Sequence, residues 1–323
     1  MTRLRGIDIE SAREAIRDLV IRTPVIDCDE LSERAGVPVL LKLESLQVTG
    51  SFKVRGAANR ILALDEDERA RGVVACSSGN HGRAVAYVAE RLGIPAVVCV
   101  PEWVDPVKLA AIRRHGAETI LHGKTYDEAE ARSLEIMRER GLAYVHPFDD
   151  PHVIAGQGTI GLELLEQVPD LRAVVAPLSG GGLIAGIAHA LKTVRADLEV
   201  IGVSAANARV MYESLRAGRP LGLPEGPTLA NALSGGIGLE NRHTLRLVRE
   251  LVDRHVLVDE DEIGGAMTFA AVEHKLVVEG GGAVGIAAVL AGRVRELDGP
   301  LAVVVSGGNV EPGVIARVAA RYV

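Results

Sequence analysis

Lys53 stands in TGSFKVRGA, residues 49–57, directly after the strand-like run VLLKLE. A lysine taken at random is a solvated surface charge. This one lies between Phe52 and Val54 and follows Gly50 and Ser51, surroundings that can desolvate an amine and leave it nucleophilic toward a carbonyl carbon. Three further stretches are Gly- and Ser-rich turns that follow apolar runs. SSGNHG, residues 77–82, opens a helix-like segment, so its backbone N–H groups can hold a carboxylate or a phosphate. A plain Ser/Asn helix cap with a glycine for the turn reads equally well. PLSGGGLIAG, residues 177–186, puts three glycines between an apolar strand and a helix. Bare amides there suit a phosphate, although tight packing alone would also ask for glycine. The turn lacks the Lys-Ser/Thr of a Walker loop and the spacing of the dinucleotide fingerprint. VVVSGGN, residues 303–309, ends a strand on Ser306, whose hydroxyl either meets a heterocyclic nitrogen or simply closes the strand.

Other chemistries find less support. His81, His146 and His152 are not at metal-ligand spacing with carboxylates or cysteines, and no paired-cysteine motif occurs, so no metal site is expected. Nothing matches the G-x-S-x-G turn of a serine hydrolase.

These turns need strands to carry them. From residue 72 the chain alternates apolar runs (GVVACSS, PAVVCV, ETILHG, AYVHPF) with helix-like stretches, then pauses at Asp149-Asp150-Pro151. A second series follows: a helix around residues 157–167, RAVVAPLSG, LIAGIAHALKTV and EVIGVSA. It closes with DEIGGAMTFAAVEHKL, an Ala-rich helix after Gly282, PLAVVVSGG and a terminal helix. Repeated β-α units predict an α/β fold of two open, mainly parallel twisted sheets flanked by helices. Such sheets bind ligands at the carboxyl ends of their strands, where all the turns above lie. The expected division is a large domain of residues 1–47 and 147–323 that binds a cofactor, and a small domain of residues 48–146. Residues 218–238, rich in Gly and Pro, read as loop.

Composition fits this frame. The 323 residues are 48% apolar, with 36 glycines and few aromatics, a balance suited to Val/Ile/Leu strands and Ala-rich helices. A net charge of −7 with scattered basic residues argues against nucleic acid as a partner. No apolar run is long enough to cross a membrane, and the amphipathic N-terminal stretch does not read as a leader. Three cysteines, an odd number, suggest free thiols in a reducing cytoplasm.

Taken in order, SFKVRGA, SSGNHG, GQGTIGLE, the SGGGL turn and SGGN resemble the threonine dehydratase and serine racemase family of pyridoxal-phosphate enzymes, and the likeness spans nearly the whole chain. The resemblance implies fold type II, the tryptophan-synthase-β-like architecture, and a homodimer. It makes Lys53 the Schiff-base lysine, Phe52 a wall beside the cofactor ring and Asn80 the partner of its phenolic oxygen. Ser179, Gly180, Gly181, Gly182 and Leu183 become the phosphate cup, and Ser306 the partner of the pyridine nitrogen. Ser77, Ser78, Gly79, Asn80 and His81, with Gln157, would hold the substrate carboxylate, and Ser78 matches the second acid/base of the racemases.

The implied reaction is β-elimination of water and release of ammonia from a small hydroxy-amino acid such as L-threonine or L-serine. PLSGGGLIAG, LSGGIGLENRHT and LVVEGGGAVGIAA resemble a branch that handles a hydroxyectoine-derived hydroxy-diamino acid. The alternatives are an amino-acid racemase on the same scaffold, a β-replacement synthase, against which SSGNH argues, and a non-catalytic binding module. Two departures from the family stand out. Ser179 replaces a fourth glycine, and its hydroxyl could add a phosphate hydrogen bond. Ser204 and Val210 stand where racemase-like members carry acidic cation ligands. The chain ends soon after SGGN, so no regulatory domain is expected.

Overall fold

The computed structural model describes residues 7–224 and 226–322. Among them are ten strands: β1 (Val25–Asp27), β2 (Val39–Leu43), β3 (Val73–Cys76), β4 (Ala96–Val100), β5 (Glu118–Leu121), β6 (Ala143–Tyr144), β7 (Ala173–Pro177), β8 (Glu199–Ala205), β9 (Arg254–Val258) and β10 (Leu301–Val305). They form a six-stranded sheet in the order β1-β2-β10-β7-β8-β9 and a four-stranded sheet in the order β5-β4-β3-β6. Every pairing is parallel except β1 with β2. This is the α/β fold expected from the alternation.

The chain divides into two compact units. One comprises residues 22–52 and 157–322 and holds the larger sheet; the other comprises residues 7–21 and 53–156 and holds the smaller. The first helix, Ile9–Ile16, thus belongs to the second unit, although residues 22–52 belong to the first. Ile16 and Leu19 share a core with Val54, Ile61, Val73 and Val88, so apolar burial decides where this helix goes.

β7 and β10 are fully buried along their length. That explains their uninterrupted apolar runs, since a parallel strand covered on both faces has no polar side to show. β7 pairs with β10 on one side and β8 on the other, and the chain leaves β7 for β8, away from β10. The neighbouring ends of β7 and β10 form a topological switch point, where open α/β sheets bind ligands.

The break read at Asp149-Asp150-Pro151 is the start of a helix, Pro151–Gln167. Asp150 Oδ1 accepts from the N–H groups of His152 (2.8 Å) and Val153 (3.0 Å), and Pro151 opens the helix with its φ already set. The division between the two units falls within this helix, between Gly156 and Gln157. β9 and the helices Lys53–Leu62, Val210–Ala217 and Thr244–Leu251 were not anticipated. β9 is an edge strand, half-buried over most of its length, and so lacks the apolar run that marks its neighbours.

Candidate active site

In the smaller unit, Lys53 is the first residue of the helix Lys53–Leu62. Val54, Ala57, Ala58 and Ile61 bury the helix in the core. The amine stays half-buried, and its Nζ donates to the Pro147 carbonyl at 2.7 Å. The SSGNHG turn follows β3. Gly79 is the N-cap of the helix Asn80–Leu92, with no side-chain cap hydrogen bond, so the amides of the first turn have no partner within their own helix. Ser77 Oγ accepts from the Gly79 N–H at 3.2 Å. Gly82 cannot be larger, because a Cβ there would lie 2.1 Å from the Ser77 carbonyl oxygen. Ser77, Ser78 and Asn80 are half-buried, Gly79 is exposed and His81 is buried.

His81 donates from Nε2 to the Val145 carbonyl at 2.8 Å. Burial, and after it the charge of Lys53, push its imidazole down from 6.5 to about 3. The ring is therefore neutral at physiological pH and serves as a tether for the turn. Because the folded value lies below the unfolded one, the unfolded chain binds more protons between them. Stability is then full above about pH 6.5 and falls as pH drops toward about 3. Urea unfolding across that window should show this loss, with a shallower slope in His81→Gln; equal slopes in the two proteins would contradict it.

In the larger unit, the SGGGL turn joins β7 to the helix Gly182–Val194. Its N-cap, Gly181, has φ 86° and no side-chain cap hydrogen bond. A Cβ on it would come within 2.9 Å of Met211 and 3.0 Å of Thr244, so both conformation and space require glycine. Uncapped amides of a 13-residue helix, at a strand end beside a switch point, make a cradle that fits a phosphate. Ser179 behaves otherwise than its position suggests. Its hydroxyl donates to the Leu233 carbonyl at 2.7 Å, so its hydrogen ties the turn to the 231–233 segment and is not offered to a phosphate.

Ser306 follows β10 and is buried, and its carbonyl accepts from the Phe52 N–H at 3.0 Å. Ser51 bridges Gly307, which fastens the segment just before Lys53 to the end of β10. Gln157, from the same unit, is fully buried with Oε1 unpartnered. Such an atom is costly unless a ligand meets it. The fold thus gathers Phe52, the SGGGL turn, Ser306 and Gln157 in one unit, and Lys53 with the SSGNHG turn in the other.

The sequence pattern of the family described as pyridoxal-phosphate dependent enzyme matches residues 16–307. The chain belongs to this family. A relative from Thermotoga maritima named L-threonine ammonia-lyase is 44% identical over 311 residues, covering 96% of this chain and 77% of that protein. Among solved structures, maize serine racemase superposes with a TM-score of 0.90 at 35% identity, covering 97% of this chain and 96% of its own. The threonine deaminase of T.th. superposes with a TM-score of 0.86 at 41% identity, covering 95% of this chain and 98% of its own. As a family member the chain is a pyridoxal-phosphate enzyme of fold type II, and the uncapped glycine turn and the unpartnered Gln157 fit a phosphorylated cofactor and a polar substrate.

Reasoning from sequence missed Glu279. This buried carboxylate precedes the helix Gly280–Leu290, and its N–H donates to the Gly307 carbonyl at 3.1 Å. A Cβ on Gly307 would lie 2.1 Å from Glu279 Oε1, so the SGGN glycine makes room for an acid beside Ser306. The signal was the acid in LVVEGGG, followed by glycines that permit close approach: a Cβ on Gly280 would lie 2.2 Å from the Leu229 carbonyl oxygen.

Ser204 and Val210 also have plain structural tasks. The Ser204 hydroxyl donates to the Leu178 carbonyl at 2.6 Å, and Val210 opens a helix. The Ser204 hydroxyl is engaged with a carbonyl, and neither side chain offers the carboxylate that hard cations favour. Adding Mg²⁺ to the enzyme is therefore expected to leave its rate unchanged, and a saturable increase in an initial-rate titration would contradict that reading.

Proposed function

We propose that the chain is an ammonia-lyase that removes water and then ammonia from a small hydroxy-amino acid, L-threonine or L-serine, leaving a 2-oxo acid. The observation that carries this reading is 44% identity, over 96% of the chain, to a protein named L-threonine ammonia-lyase. The half-buried Lys53 amine at a helix start supports it.

Pyridoxal phosphate, when bound, supplies an electron-accepting ring that takes up the charge left at Cα when its proton departs. Lys53 would carry the cofactor and, once freed, take the Cα proton on Nζ; the Pro147 carbonyl gives that amine a resting partner. The amides of residues 180–183 would hold the phosphate, Ser306 the ring nitrogen, Asn80 the phenolic oxygen and Phe52 one ring face. The substrate carboxylate would lie on the first-turn amides of residues 79–81 and on the hydroxyls of Ser77 and Ser78, with Gln157 as a further partner. Hydroxide leaves only with a proton, and the protonated Lys53 would deliver it. A neutral His81 keeps the turn rigid without adding a second proton carrier. On this reading the unit that contains the larger sheet is the cofactor-binding domain.

A second reading, an amino-acid racemase, is favoured by the superposition on serine racemase and by Ser78, whose hydroxyl could exchange a proton on the opposite face of Cα. A hydroxyectoine-derived hydroxy-diamino acid is the third substrate class to test. We further propose a homodimer, on the resemblance to the family alone, and a reducing cytoplasm, the latter supported by three cysteines that are all free and buried. No described helix is long and apolar enough to cross a membrane. Incubating the purified protein with L-threonine, L-serine and hydroxy-diaminobutyrate derivatives tests the reading. Equal release of 2-oxo acid and ammonia from one of them is expected, whereas D-enantiomer without ammonia would establish the racemase instead.

A further inference from the structure

Cys28, Glu30 and His274 bring a sulfur, a carboxylate oxygen and a ring nitrogen together in the larger unit. Cys28 Sγ lies 3.0 Å from His274 Nε2. Glu30 Oε2 lies 3.7 Å from the sulfur and 3.6 Å from the same nitrogen. A tetrahedral zinc ion, with bonds of about 2.3 Å to sulfur and about 2.0–2.1 Å to nitrogen and oxygen, sets its donor atoms about 3.3–3.6 Å apart. The three atoms are thus already near the edges of one coordination tetrahedron.

The backbone around them is well held. The Cys28 N–H donates to the Val39 carbonyl at 2.9 Å, and its own carbonyl accepts from the Ser32 N–H at 2.9 Å and hydroxyl at 2.7 Å. Glu30 lies in the first turn of the helix Asp29–Ala35. His274 follows the helix Glu260–Val272, where Lys275 at φ 58° turns the chain out of helical geometry. The Phe269 ring packs edge-on against the imidazole, centroids 5.4 Å apart, and so fixes its orientation.

We propose that Cys28, Glu30 and His274 bind one zinc ion, with water as the fourth donor. The donor set favours zinc over magnesium or calcium, which take oxygen ligands. Cys28 is fully buried, whereas the Glu30 side chain is 51% exposed, so the water position opens toward solvent. On binding, the S–H bond breaks as the Zn–S bond forms, and the proton passes to solvent. The ion would clamp the start of one helix to the end of another, a structural role independent of the proposed lyase reaction.

Holoenzyme stripped with chelator and desalted is titrated with Zn²⁺ by equilibrium dialysis and metal analysis, with thermal unfolding in parallel. One tightly bound zinc per chain and a raised unfolding temperature are expected. His274→Gln, a partly exposed position, should weaken binding by about 100-fold or more, since even outer-shell partners cost about 10–100-fold; Cys76→Ser should retain it. Co²⁺ in place of Zn²⁺ should give visible tetrahedral bands that are lost in Cys28→Ser. No zinc bound by the wild type at micromolar concentration would overturn the proposal, as would undiminished binding in His274→Gln.

Discussion

Replacing Lys53 by alanine is expected to abolish turnover, lowering kcat by about 10⁴-fold or more, while the protein still folds. General acid–base catalysis alone contributes about 10²–10⁴-fold, and the proposed role adds the covalent hold on the cofactor. The fold should survive because helix packing rests on Val54, Ala57, Ala58 and Ile61, all fully buried, and not on the half-buried amine. Initial rates with L-threonine, beside circular dichroism of the same samples, check both halves. Residual activity within tenfold of wild type would remove Lys53 from the reaction.

Lys42→Met is expected to have the largest effect on stability, a loss of about 3–5 kcal/mol in urea unfolding. The Lys42 side chain is fully buried on β2, and its Nζ donates to Glu163 Oε2 at 2.5 Å, to Gln167 Oε1 at 2.8 Å and to the Thr23 carbonyl at 2.8 Å. Removing the ammonium takes the Lys42 charge away from the Glu163 carboxylate, whose side chain is only 11% exposed, in a medium that solvates it poorly. The companion change should be far less costly: Lys42→Met with Glu163→Leu deletes both charges and is expected to recover most of the loss. A single variant as stable as wild type would show that solvent reaches the pair.

Much of this was legible in the sequence because parallel strands buried on both faces leave unbroken apolar runs. β3, β4, β7, β8 and β10 all lie in runs identified as strands, and glycine and serine turns follow β3, β7 and β10. What escaped has physical reasons. Asp150-Pro151 resembles a break, yet Asp and Pro are also the residues that start a helix, and only the bonds from His152 and Val153 decide between the two. DEIGGAMTFAAVEHKL keeps its helical pattern to Leu276, but the helix ends at Val272. The left-handed Lys275 and the Leu276 N–H donating to the Ala270 carbonyl stop it, and no glycine announces the stop. The Ser179 hydroxyl was assigned by its place in a turn, whereas its partner Leu233 is 54 residues away. Cys28 and His274 are 246 residues apart, so no spacing rule could bring them together.

Six lysines occur in the chain: 42, 53, 108, 124, 192 and 275. Lys42 is engaged with Glu163, Lys192 with Asp253 at 2.8 Å, and Lys275 with the Val272 carbonyl. Lys53 is the one that opens a helix directly after a glycine-serine turn. Reductive trapping with borohydride, followed by proteolysis and mass mapping of the attached cofactor, therefore tests the central claim most directly. The cofactor mass is expected on the peptide containing Lys53 and on no other; its appearance on any of the remaining five, or on none, would contradict the assignment.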